Sequence, residues 1–472
     1  MAKNATIDVG ELLARQKFSR WHLGILTFAF LVLFIDGLDF NAINVAAPAI
    51  LRAWHIERSA IGLVFGAGNF GILVGTILFG WIGDRYGRRP GLVFGVLAYA
   101  LPALVTPFAV STIQLAILRF LAGCGIGGVI PNTIAMLTDI APARLRARFV
   151  VIPLLGYGFG AAGAGAAAAA LIPTYGWPSV FLVAGLAGTI YAGILALWLP
   201  ESIRFQTLRN PGSPSLRQTV ARLMPDERIG PDARFVLARQ VAIPFSVGML
   251  FRDGLALATA MLWIAFFAEA LTFITFLGWQ TVLFESAGLS PVQASLTFSY
   301  GAIGANIVQF GMAFLLDRFS MKSAAAMGII VILGFLIFGS PGLPPAALMG
   351  VAILAFSTNA ATHNSLNGLV GAYYPTNIRS NAIGFATGMG RVAGIIGPVI
   401  AGYLLSAHMT LRGLSIVLAS PYVVVVAACL VLGLRYRTNL ARDGVADASP
   451  APEPLSSMAD QAIGAPTERG VR

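Results

Sequence analysis

Asp36 and Asp39, in the run DGLDF, stand three residues apart and share one face of a helix. The run lies deep in an apolar stretch, where a carboxylate is costly to keep charged and is suited to exchanging a proton with its surroundings. The alternatives for either acid are capping a kink or pairing permanently with an arginine. An ionisable side chain near a bilayer centre costs at least about 2.5 kcal/mol on insertion scales, so the other such groups are also candidates: Arg119, Glu269, His363 and Arg391. With a helical rise of about 1.5 Å for each residue, Arg119 falls at a depth similar to Asp39, and a pair between them would compete directly with protonation. Glu269, a further candidate for proton coupling, heads a helical stripe with Phe273, Phe276 and Gln280, an acid, two rings and an amide that could line a site for an aromatic substrate. The plainer reading is that the rings face lipid. Arg391, well inside an apolar run, demands an anion, either a protein carboxylate or the substrate's own. His363, Asn364 and Asn367 add hydrogen-bonding groups on one helix, although a lone histidine is more often a packing residue.

These groups have to be held by helices in lipid. Of the 472 residues, 57% are apolar and 11% charged, where a soluble domain carries about 25% charged residues, and mean hydropathy is +0.80. Too few charges are present to wet a soluble globule, which excludes soluble enzymes, DNA-binding proteins and secreted disulfide scaffolds. Twelve apolar stretches of membrane-spanning length are expected, the first at about 22–47 and the last at about 413–434. The fold class is an all-α membrane protein of twelve transmembrane helices in two pseudo-symmetric six-helix bundles. Its segments are an N-terminal piece over 1–21, one bundle over 22–199, a linker over 200–253, the second bundle over 254–434 and a disordered tail over 435–472. Ile7, Val9, Leu12 and Leu13 alternate with charged residues, as in a short helix lying on a membrane surface.

The formal net charge of +11 records topology and does not call for nucleic acid. With both termini cytoplasmic, every Lys and Arg lies on the inside except Arg52, Arg58 and Arg412 in outside loops and Arg119 and Arg391 within helices. Cys124 and Cys429 lie in apolar runs and offer no disulfide framework or metal site. GCGIGG matches GxGxxG at Gly123, Gly125 and Gly128, but inside an apolar helix with no strand before it, so close helix packing replaces the dinucleotide reading. No cofactor is expected other than protons as coupling ions.

An internal repeat supports the two-bundle division. Asp84, Arg85 and Arg89 recur as Asp317, Arg318 and Lys322, Pro142 and Arg146 as Pro375 and Arg379, and Asp36 as Glu269, all at an offset of 233. Three features sharing one offset point to a duplicated six-helix unit.

GWIGDRYGRR, after the second helix, resembles the signature loop of the major facilitator superfamily. With DGLDF, RFLAGCGIGGVIPNTIAMLTDIAPARLR, LPES and AYYPTNIRSNAIGFATGMGRVAGIIGP, the chain more narrowly resembles the aromatic acid:H+ symporter family along essentially its whole membrane part. The resemblance implies import of an aromatic carboxylate, such as hydroxybenzoate, protocatechuate, vanillate or a related lignin-derived acid, by a monomer in a bacterial inner membrane. It implies proton coupling at Asp36 and Asp39 and an acid-substrate pathway at Arg119 and Arg391. It also implies a cytoplasmic gating latch of Asp84, Arg85 and Arg88 with Asp139 and Arg146, in which Asp84 faces the eleventh helix near Ser380 and Arg88 pairs with Asp139. Two departures stand out: Asp139, where a glutamate is common, and His363, where a glutamine is more usual. Other functions open to the same scaffold are a proton-driven exporter and a chemoreceptor for aromatic acids. No nucleophile, base and orienting group occur together, so an enzyme is not expected.

Overall fold

The computed structural model describes residues 6–16, 18–223, 234–237, 246–252, 254–319, 321–374 and 378–446. Within these, it describes the side chains of all but 6, 14, 143, 223, 313–319, 364, 367–369, 371–373 and 436–446. Strand β1 (Thr6–Asp8) leads into α1 (Val9–Arg15). The first half is then α2 (Arg20–Trp54), α3 (Arg58–Tyr86), α4 (Arg88–Val105), α5 (Thr112–Thr138), α6 (Arg146–Tyr175) and α7 (Pro178–Trp198). The linker contributes α8 (Ile203–Arg209), α9 (Pro214–Leu223) and β2 (Arg234–Val236). The second half is α10 (Ala256–Ser286), α11 (Pro291–Phe319), α12 (Met321–Phe338), α13 (Pro345–Tyr373), α14 (Arg379–Ser406) and α15 (Leu411–Ala446).

The repeat is written into the helix boundaries. α3 to α7 begin at Arg58, Arg88, Thr112, Arg146 and Pro178, and α11 to α15 begin at Pro291, Met321, Pro345, Arg379 and Leu411, each at the same offset of 233. Eleven of these helices satisfy the length and apolarity of a membrane crossing among the described residues, and α11 supplies the twelfth expected span. Large apolar side chains such as Ile77, Ile190 and Val423 point outward, as a lipid solvent permits.

Since lipid is as apolar as leucine, helices associate here through close packing more than through the hydrophobic effect. Glycine permits that approach. A Cβ at Gly75 of α3 would stand 1.9 Å from the Cys124 carbonyl oxygen of α5, and one at Gly123 of α5 would stand 2.2 Å from the Gly68 carbonyl oxygen of α3. Gly123 is one of the glycines of GCGIGG, and its role is helix contact.

Two terminal expectations are corrected. α1 does not lie on a membrane: Val9, Leu12 and Leu13 are buried in the protein beside Ile140, Phe149 and Phe235, and β1 pairs in parallel with β2, Ile7 opposite Phe235. Its apolar face finds a protein partner because the linker returns to cover it. The tail expected to be disordered from 435 begins as helix, since α15 runs on to Ala446. Residues 447–472 lie outside the described residues.

Among the described residues, the halves meet from the Arg52–Glu285 end to about mid-bundle, where Gly158 of α6 packs against Asn306 of α11. At that end Gly62 of α3 packs against Pro398 and Gly402 of α14, Phe65 meets the Trp279 ring edge-on at 5.3 Å, and the Ser59 amide donates to Ser406 Oγ at 2.9 Å. The Thr281 hydroxyl donates to the Asn44 carbonyl, and Arg52 pairs with Glu285. Arg52 and Glu285 are themselves separated by the repeat offset of 233, so this ion pair joins pseudo-symmetric positions at the ends of α2 and α10. At the opposite end, which carries the linker, Asp84, Arg85, Arg379 and Ser380 are exposed, and a Cβ at Gly80, Gly384 or Gly388 would meet nothing within 4 Å. The structure is therefore closed at the Arg52–Glu285 end and open at the linker end.

Candidate functional site

Below the closed end lies a small cavity of about 40 Å³ between the halves. Its walls include Phe40 and Asn44 of α2, Phe65 and Asn69 of α3, Arg119 and Ile126 of α5, Ile274 and Leu277 of α10, and Pro398 of α14. The lining is mostly apolar and aromatic with a few polar groups, the composition of a small-molecule site.

Arg119 is its cation. The side chain is 4% exposed, Nη2 donates to Thr106 Oγ1 at 2.8 Å, Nη1 stands 3.9 Å from Asp39 Oδ2, and the guanidinium lies 4.8 Å over the Phe181 ring. Thr106 and Phe181 escaped the sequence reading because nothing in their own spacing marks them as an arginine's supports. Asp39 is fully buried behind Arg119, with neither carboxylate oxygen hydrogen-bonded in the described structure. Asp36 is equally buried and unbonded, and the buried phenol of Tyr99 and the half-buried phenol of Tyr157 come within its electrostatic reach. Nearby, Asn41 Nδ2 donates to the Gly37 carbonyl at 2.7 Å and Asn44 Nδ2 to Asn41 Oδ1 at 3.1 Å. A buried carboxylate held by one long contact to an arginine has a single compensation for its charge besides a proton. The expected Asp39–Arg119 pairing is thus present, with the aspartates behind the cavity wall and the arginine in it.

The second half brings a different set together. Glu269 is fully buried and its Oε2 stands 2.8 Å from His363 Nδ1 of α13, while the imidazole stacks on Phe273 with ring centres 4.5 Å apart. Arg391 of α14 is half-buried and within electrostatic reach of that imidazole, and among the described residues it has no acid within 4 Å. His363 is therefore engaged with an acid and a ring, which the view of it as a lone packing residue missed. Asn364 and Asn367 lie outside the residues whose side chains are described.

The stripe expected to hold an aromatic ring is not one surface. Phe276 is fully buried inside the second half against Phe284, Phe335, Phe338 and Phe356 and is not a cavity residue. Gln280 is also buried, its Nε2 turned to the Leu277 carbonyl at 3.4 Å. The face of α10 that meets the cavity is Ile274, Leu277 and Gly278. Spacing shows which residues share a face, but not which neighbour that face meets.

The latch implied by resemblance is also rearranged. Arg88 pairs with Asp84 one turn away at 2.6 Å and reaches Asn132 Oδ1 at 3.4 Å, with no ion pair to Asp139 among the described residues. Asp139 instead accepts the Ser202 hydroxyl at 2.6 Å. Burial pushes the Asp139 carboxyl above the usual carboxylate range, opposed by that bond and by the Arg204 and Arg88 charges. Glu201, in the LPES run, takes the Arg88 and Arg89 amides at 2.8 and 3.2 Å, an anion at the N-terminus of α4. Arg85 lies over the Trp81 and Tyr86 rings, and Arg146 is exposed at the start of α6. Asp84 cannot meet the start of α14 in this arrangement because the halves are parted at that end.

Two six-helix halves related by duplication, with a cavity between them, make a two-bundle membrane protein. A family model described as Major Facilitator Superfamily matches residues 29–398. The chain belongs to the Major Facilitator Superfamily, and its relatives bear out the resemblance to the aromatic acid:H+ symporter family within it. It is 29% identical over 437 residues to the 4-hydroxybenzoate transporter PcaK of Pseudomonas putida, covering 91% of this chain and 96% of that one. It is 27% identical over 470 residues to the benzoate transport protein of Acinetobacter baylyi, covering 96% of each. Among solved structures, the xylose transporter XylE of E. coli in an inward open conformation matches with a TM-score of 0.67 at 14% identity, over 87% of this chain and 95% of that one. A bacterial homolog to the human lysosomal transporter Spinster, inward-facing and unoccupied, matches with a TM-score of 0.65 at 19% identity, over 92% and 100%. The protein is a multi-pass membrane transporter and not an enzyme.

Proposed function

We propose that this carrier imports an aromatic carboxylate together with protons across a bacterial inner membrane by alternating access, with both termini in the cytoplasm and the open end facing inward. The observation that carries this reading is Arg119: a cation in the wall of the cavity between the halves whose acid partner is a buried, otherwise unbonded aspartate. A substrate carboxylate entering the cavity competes with Asp39 for the guanidinium, and a proton on Asp39 removes that competitor. Substrate and proton then favour the same state, which is the condition for symport. Arg391, with no protein acid within 4 Å among the described residues, is a second place for the substrate's charge. The aromatic walls, Phe40 and Phe65 in the cavity and Phe273 beside Arg391's neighbour His363, suit a planar ring. Reorientation breaks the Arg52–Glu285 pair and brings the exposed residues Asp84 and Arg85 toward the start of α14, where an acid at a helix N-terminus is favourable.

The relatives named as 4-hydroxybenzoate, benzoate and gallate transporters support an aromatic acid as cargo. The test is a proteoliposome screen of hydroxylated and methoxylated aromatic acids with and without an acid-outside pH gradient. At least one acid should accumulate about tenfold per pH unit if one proton accompanies it. Export enhanced by the same gradient, or binding without flux, would replace this reading with an exporter or a receptor.

A further inference from the structure

We infer that the Glu269–His363 pair in the second half is a second proton site, separate from Asp36 and Asp39, and that the carrier therefore moves net positive charge inward with each monoanion. The inference rests on the proton-coupled import proposed above and concerns its stoichiometry.

The pair has the construction of a proton site. Glu269 Oε2 and His363 Nδ1 are 2.8 Å apart, so one proton can be held between them, and the other carboxylate oxygen, Oε1, is buried with no partner in the described structure. Without that proton, a fully buried carboxylate faces a neutral ring, an arrangement that desolvation disfavours. Phe273, stacked on the imidazole, holds the ring in place. Among the described residues, Glu269 from α10 and Arg391 from α14 bring charge to the imidazole. Tyr422 of α15 faces Glu269, but its hydroxyl is committed to Asn359 Oδ1 at 2.6 Å. Among the described residues α11 and α12 bring no further charge to the pair. Asp36, Asp39 and Arg119 belong to the other half, so the two sites can fill independently.

Arg391 connects this proton to cargo. Its positive charge near the imidazole opposes protonation of the pair, and a substrate carboxylate bound to Arg391 offsets that charge. Anion and second proton therefore favour each other's binding. The position also carries history within this chain: Glu269 is the repeat counterpart of Asp36 at the offset of 233, so each half keeps an acid at the same place in its first spanning helix. With one proton from each half and one monoanion, the complex carries one net positive charge.

The consequence is a response to membrane potential, which one proton with one monoanion would lack. In proteoliposomes at equal pH on both sides, a valinomycin-set potential of about 100 mV, interior negative, should raise 4-hydroxybenzoate accumulation roughly 50-fold. His363→Gln and Glu269→Gln should each bring the ratio of accumulation with and without potential toward one, whatever their absolute rates. Retained exchange of internal for external 4-hydroxybenzoate shows that each variant is folded. Wild-type accumulation that follows a pH gradient but ignores the potential would overturn the inference, as would both variants keeping the wild-type potential ratio. Absence of flux of every aromatic acid under a pH gradient would overturn the import reading itself, and this inference with it.

Discussion

Replacing Arg119 by leucine is expected to reduce pH-gradient-driven uptake of 4-hydroxybenzoate by at least about 100-fold. Removing one partner of a buried charge pair typically costs about 3–5 kcal/mol, because the other charge is left uncompensated. Here the loss has two components. The substrate carboxylate loses a cation in the cavity wall, and Asp39, which has no hydrogen-bond partner in the described structure, loses its only nearby positive charge there. Arg119→Lys keeps the charge but not the planar fork that spans Thr106, Asp39 and the Phe181 ring, so it should recover only part of the rate. Initial rates in proteoliposomes, normalised to carrier content, measure both variants. Wild-type uptake by Arg119→Leu would remove Arg119 from the substrate path and leave it a structural pair for Asp39.

Asp39→Asn should separate transport from its driving force. The amide is close in shape to a protonated aspartic acid, so it holds the carrier in the state that releases Arg119 to substrate. Exchange of internal for external substrate, which needs no net proton movement, should persist. Accumulation driven by a pH gradient should fall by about tenfold per unit of gradient, the contribution of one proton. Asp36→Asn gives the comparison: Asp36 has the same burial but lies within electrostatic reach of Tyr99 and Tyr157 and makes no contact to Arg119 within 4 Å. If accumulation survives in Asp39→Asn and is lost in Asp36→Asn, Asp36 is the carrier of the first proton and the Arg119 competition described above is not the coupling step.

Much of this architecture could be read from spacing, because the constraints are one-dimensional. A bilayer demands helices of a set length, and duplication repeats them at a constant interval, so an offset of 233 seen in Asp84 and Asp317, or Pro142 and Pro375, carries over to five pairs of helix starts. The Asp39–Arg119 pair was legible for a similar reason: two charges at one depth in lipid must find each other. What depends on rotation of one helix against another was not legible. Phe276 shares a face with Glu269 by count, yet helix packing turns it into a phenylalanine cluster within the second half and presents Ile274 and Leu277 to the cavity. Glu269 and His363 are 94 residues apart on helices of different bundle position, and only their packing shows the 2.8 Å contact. The latch was misplaced for a third reason. On the proposed alternating-access reading, Asp84, Arg88 and Asp139 would take partners that depend on which end of the carrier is closed, and the structure displays one such arrangement. The Arg52–Glu285 closure at the other end is the counterpart that belongs to this state.

The central claim is that protons and an aromatic acid cross together. The most direct measurement is the external pH of a weakly buffered suspension of proteoliposomes when 4-hydroxybenzoate is added with no imposed gradient and the potential clamped by valinomycin and potassium. Symport predicts immediate alkalinisation outside that is absent from Arg119→Leu vesicles and from protein-free liposomes and that a protonophore collapses. Entry of labelled 4-hydroxybenzoate with no carrier-dependent pH change would contradict the account.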